Sequence, residues 1–112
     1  MEKTRLLSAD EFAECFAAPM RNVTAEADSI VDIWPYVDSL DLDAVGLPSI
    51  HDVHYVYRDA SGRYDQVLIG TGRFNTLLVV VVDRDLKSIA GHHVLDLNEQ
   101  FNVRRDHLRS VR

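Results

Sequence analysis

Four of the five histidines stand in two close pairs, His51 with His54 and His92 with His93, and aspartates accompany both pairs as Asp52 and Asp96. Imidazole and carboxylate groups are the commonest proton donors and acceptors in hydrolytic sites. His54, His92, His93, Asp52 and Asp96 are therefore the residues from which a small hydrolase or ribonuclease-like acid–base site could be assembled. Metal binding is the other chemistry that paired histidines suggest. Zinc needs its nitrogen ligands about 2.0–2.1 Å away, whereas adjacent strand residues point to opposite faces. In a four-stranded meander the first and last strands also lie about 14 Å apart at roughly 4.8 Å per strand. No metal site is expected. The ordinary reading puts one histidine of the second pair in the core and the other in water.

Three further motifs have ordinary explanations. Asp41, Asp43, Gly46 and Asp52 half-match a calcium loop, but Val45 offers no side-chain oxygen and Pro48 interrupts the spacing. Gly70-Thr71-Gly72-Arg73 follows an apolar run as a phosphate loop would, yet another apolar run comes next, so no helix N-terminus is there to receive an anion. Arg73 is still a cation displayed beside two glycines and is the ligand-binding candidate. Cys15 falls beside Phe12 and Phe16 at helical spacing, which suits an inert, enclosed thiol better than a nucleophile with a base in reach.

The charge is unevenly spread. The net charge is −6, with eleven acids against three bases in residues 1–57 and nine bases against seven acids thereafter. No Lys or Arg occurs between Asn22 and Tyr57, and Trp34 and Tyr36 lie in that acidic stretch with Asp38, Asp41 and Asp43. Aromatic rings among unpaired carboxylates suit a basic protein partner or a cationic ligand. The plain alternative is a solvated acidic loop whose rings cap the core around Pro35. Nucleic acid is not an expected partner, because the acidic body repels phosphate even though Arg104, Arg105, Arg109 and Arg112 crowd the end of the chain.

The elements that must position these residues can be read from periodicity. Ser8-Ala9-Asp10-Glu11 fits a capping box, and Phe12, Ala13, Phe16, Ala17 and Met20 follow at helical spacing, predicting a helix from about Ala9 to Ala18. Arg21 to Ser29 reads as a loop. Pro35 forbids a central strand but suits the first turn of a short helix over roughly Trp34 to Leu40, with an edge strand over Ser29 to Ile33 as an option. Beyond it, Val53–Arg58, Tyr64–Gly70, Thr76–Asp83 and Ser88–Leu97 alternate as strands with short connections, which implies antiparallel neighbours. Asn98 could cap a final helix carrying Phe101, Leu108 and Val111.

The run from Leu77 to Val82 is apolar on both faces, so the sheet must be covered on both. The first helix can cover one face. The other requires the Ile30 to Leu42 segment or a second copy of the chain, so a homodimer packed through the sheet is one expectation. The fold expected is α+β: an N-terminal helix on a four-stranded antiparallel meander, with a short second helix or irregular segment at 30–47, in a single domain over 1–112. One cysteine excludes an internal disulfide, no apolar run is long enough for a membrane span, and the first residues do not form a secretory signal, so a cytoplasmic setting is expected. No cofactor motif is present. The leading functional expectation is a non-catalytic binding or regulatory module.

Overall fold

The strongest element is the strand apolar on both faces, and the rest of the chain is arranged to enclose it. The structure is a computed structural model that describes residues 5–16, 20–24 and 31–97. Helix α1 (Ala9–Cys15) is followed by β1 (Met20–Asn22), α2 (Trp34–Asp38), β2 (Ile50–Asp59), β3 (Tyr64–Thr71), β4 (Thr76–Asp83) and β5 (Ser88–Asp96). The sheet order is β1-β2-β3-β4-β5, with every neighbouring pair antiparallel. The α+β meander is as expected, with one strand more than the four predicted. That strand joins Met20, expected at the end of the helical spacing, to the first residues of the stretch predicted as loop, and Met20–Asn22 pair with Tyr57–Asp59. Residues 31–33 are not a strand, and the expected C-terminal helix lies outside the described residues.

From Leu78 onward β4 is enclosed on both faces. Leu78, Val80 and Val82 meet Val23, Ile33, Val37, Leu40 and Leu47, together with Val56, Val67 and Ile69 from the flanking strands. Val79 and Val81 meet Leu7, with Phe12, Cys15, Phe16, Tyr64 and Leu68 packed around them. Leu78 through Val81 are fully buried, and each such side chain contributes roughly 1.5–3 kcal/mol of transfer free energy. The face that required either the 30–42 segment or a second copy is covered by residues 31–47 of the same chain. On this face no second copy is needed to complete the cover.

The capping box is present: Glu11 N–H donates to Ser8 Oγ at 3.1 Å, and Ser8 N–H donates to Glu11 Oε1 at 3.0 Å. Immediately before it, residues 5–7 run as a strap along the outer edge of β5. Leu7 N–H donates to the His92 carbonyl at 2.6 Å, and His92 N–H donates to the Arg5 carbonyl at 2.9 Å. Gly91 allows this approach, since a Cβ there would meet Leu7 Cδ2 at 2.9 Å and the Arg5 carbonyl oxygen at 3.0 Å. No helix among the described residues is long and apolar enough to cross a membrane.

Candidate functional site

Two recesses open at the end of the sheet where β2 begins and β3 turns into β4. The first, of about 340 Å³, is lined by Trp34, Val37, Asp38, Leu40, Leu42 and the Pro48–Ile50 corner. Local chemistry sets its wall. Asp32 accepts the Trp34 N–H at 3.1 Å, and Pro35 occupies the first turn of α2, so the helix starts at the indole. Trp34 is 40 % exposed. Asp38 and Asp43 are exposed and have no ion-pair partner among the described residues. Asp41 is partly committed to its own turn, accepting from Asp43 N–H at 3.2 Å and Ala44 N–H at 3.3 Å. Tyr36 does not join this surface; it turns inward.

The second recess, of about 640 Å³, lies on the opposite face of the sheet beyond the end of α1. A helix of seven residues spans about 10 Å, whereas strands of eight residues run about 26 Å, so α1 cannot cover its whole face. The part that α1 leaves open carries Tyr55, Leu77 and Leu97, with Phe74 and Arg73 at the β3–β4 turn and His51 also in the lining. Arg73, expected as a ligand-binding residue from its glycine neighbours, thus lies on a real concavity. No carboxylate among the described residues pairs with it.

Among the described side chains, the acid–base candidates His92, His93 and Asp96 are not brought together. His92 is 1 % exposed on the face covered by residues 31–47, and its Nδ1 shares a 2.8 Å hydrogen bond with the Tyr36 hydroxyl. That hydroxyl also accepts the Arg5 N–H at 3.0 Å. His92 Nε2 is buried with no hydrogen-bond partner among the described residues. Desolvation, followed by the neighbouring His93, lowers the His92 pKa, so the ring is held neutral. His93 faces the other way and stacks on Phe12, with ring centroids 4.4 Å apart. It is half-buried rather than free in water. Asp96 is exposed at the end of β5. The side chains of Asp52 and His54 lie outside the described residues. Among the described residues, no group of three or more His, Cys, Asp or Glu side chains is placed to hold a metal ion. Burial, then the Glu14 charge, pushes the Cys15 thiol up, which disfavours the thiolate a nucleophile requires.

No family description, curated protein or solved structure matches this chain.

Two arrangements were missed by sequence reasoning. Arg58 and Asp65, opposite one another in the β2–β3 hairpin, form a buried ion pair: Arg58 Nε donates to Asp65 Oδ1 at 2.8 Å, and Arg84 Nε stands 3.8 Å from Oδ2. The signal was present in the turn over Asp59–Gly62, because a hairpin closed there places Arg58 opposite Asp65. The Tyr36–His92 bond joins residues far apart in sequence, and no local pattern announces it. Arg63, half-exposed, donates to the buried Asp83 at 2.9 Å and holds its carboxyl below the ordinary range.

Proposed function

We propose that this protein is a non-catalytic binding module that receives a cationic segment of a partner protein at the Trp34 recess. One observation carries the reading. Asp38 stands exposed and unpaired among the described residues on the wall of an open recess that it shares with Trp34, in a stretch where no Lys or Arg occurs between Asn22 and Tyr57 and where Asp43 follows the lining residue Leu42. Elsewhere the pattern is reversed: Arg5, Arg58, Arg63 and Arg84 each pair with a carboxylate of the body. A lysine or arginine entering the recess would gain the Asp38 carboxylate and the indole face. The aliphatic stem of the same side chain could lie on Val37 and Leu42. We place this activity in the cytoplasm, a setting supported by the single half-buried thiol.

An acid–base enzyme finds no comparable support. His92 and His93 point to opposite faces, and the former is locked against Tyr36.

Trp34 is the only tryptophan, so its fluorescence reports on the recess directly. Titration with a short oligolysine peptide should give a saturable change that weakens at high ionic strength, because screening shortens from about 10 Å at 0.1 M to about 3 Å at 1 M salt. The Asp38→Asn/Asp41→Asn/Asp43→Asn chain should lose the response, while asparagine at 41 preserves the turn. An unchanged response in that triple variant, or an equal response to oligoglutamate, would sink the proposal.

A further inference from the structure

We propose that the recess of Tyr55, Leu77 and Phe74 is a second docking site, taking an acidic, apolar segment of a partner protein with its carboxylate on Arg73. This goes beyond the Trp34 reading. It concerns the other face of the sheet and the opposite charge, and either proposal can fail alone.

Phe74 is 82 % exposed, and Tyr55 beside it is 48 % exposed. The turn that displays the phenylalanine is fixed by its own bonds. Arg73 N–H donates to Thr71 Oγ1 at 3.2 Å, Thr71 Oγ1 donates to the Thr76 carbonyl at 3.0 Å, and Thr76 Oγ1 donates to the Phe74 carbonyl at 3.2 Å. The turn is also braced from below: a Cβ at Gly72 would meet Ser49 Oγ at 2.5 Å and Pro48 Cγ at 3.2 Å. A large ring kept in water by a braced turn is already in the conformation a partner would meet, which removes part of the ordering cost of association.

Charge and shape identify the occupant. Arg73 lacks a carboxylate among the described residues, while the arginines at 5, 58, 63 and 84 each have one. The planar guanidinium suits a carboxylate in a two-bond fork, and the exposed His51 adds no negative charge to the rim. The recess is broad and open, with walls of rings and aliphatic chains. Such a surface fits a peptide segment bearing Phe, Leu or Tyr next to Asp or Glu. A small molecule would need deeper enclosure.

Panning a phage-displayed random peptide library against the full chain tests this. The expected result is enrichment of sequences that place Asp or Glu within a few residues of Phe, Leu or Tyr. A synthetic peptide of the enriched sequence should lose affinity on the order of tenfold with Phe74→Ser and with Arg73→Glu. The Asp38→Asn/Asp43→Asn chain should bind it unchanged. Both tested positions are exposed, so an unaltered melting temperature serves as the folding control. Failure of any sequence to enrich, enrichment of basic sequences, or binding retained in both variants overturns the proposal. Enrichment seen only on a Phe101→Ser/Leu108→Ser chain would mean that residues 98–112 fill the recess. A doubled mass in light scattering that reverts in Phe74→Ser would mean that a second copy does. Either result replaces the partner proposed here.

Discussion

Leu77 and Leu78 are neighbours in β4, yet Leu78 is fully enclosed beneath residues 31–47, while Leu77 borders the open recess beside Phe74. The same contrast runs across the whole sheet. One face, which holds a buried ion pair and a buried histidine, is covered by residues 31–47, a mostly irregular segment with the single short helix α2 in it. The other is covered by a helix too short for it, and the remainder is left to Tyr55, Phe74 and Leu97. Irregular chain can fit a surface residue by residue, whereas a helix covers only what its length and one stripe allow. The covered face holds the sealed part of the core, and the partly covered face leaves apolar side chains open.

Substitutions can break this comparison at several strengths. The largest effect is expected at Asp65, which is fully buried against Arg58. Removing the carboxylate leaves a buried guanidinium, and chemical denaturation of Asp65→Ala should show a loss of about 3–5 kcal/mol. A loss below about 1 kcal/mol would mean that the pair is better hydrated than the closed face implies. Next comes the adjacent pair. Leu78→Ala should cost about 2–5 kcal/mol, and Leu77→Ala clearly less, because only the first opens a cavity in a sealed core. Equal losses at the two positions would erase the distinction between the faces.

A smaller effect should depend on pH. Burial, then His93, holds His92 below the ordinary imidazole value near 6.5, so the unfolded chain takes up a proton first as pH falls. Stability from this group is complete above that value and declines as the solution is acidified through it. The decline is at most about 1.4 kcal/mol per pH unit, until the folded state's own lower pKa is reached. Replacing the ring with His92→Gln should flatten the thermal-melting profile between about pH 7 and about pH 5. An unchanged slope would assign the acid sensitivity elsewhere. The smallest effect belongs to Phe74. Its serine variant should change stability by no more than about 0.5 kcal/mol, measured by the same denaturation, because the ring is displayed and not packed.

The parts of this architecture that were legible in the sequence are those written in local periodicity. The alternation of Leu77 to Val82 implied two covered faces, the Ser8–Glu11 pattern implied the helix start, and adjacency alone separated His92 from His93. β1 escaped because Met20–Asn22 are all exposed. A strand with no buried side chain leaves no alternating signature. The recess behind Arg73 escaped for another reason: it exists because α1 is shorter than the strands it lies on, and its helical pattern had suggested a longer reach, to Ala18. The residues flagged by charge divide in the same way. Asp38 and Trp34 could be placed on one surface from sequence proximity, whereas the inward turn of Tyr36 depends on a partner in β5.

The strap of residues 5–7 bears on a different property. The outer strand of a sheet offers unpaired N–H and C=O groups, and strands of neighbouring molecules can add to them. At His92 that position is already taken by the chain's own backbone, tethered through α1 at a local concentration that free molecules in solution do not approach. Gly91 is what permits the fit. This short length of chain therefore protects the molecule's colloidal behaviour. Loosening it would first appear as sheet-edge aggregation, with both hydrophobic layers still intact.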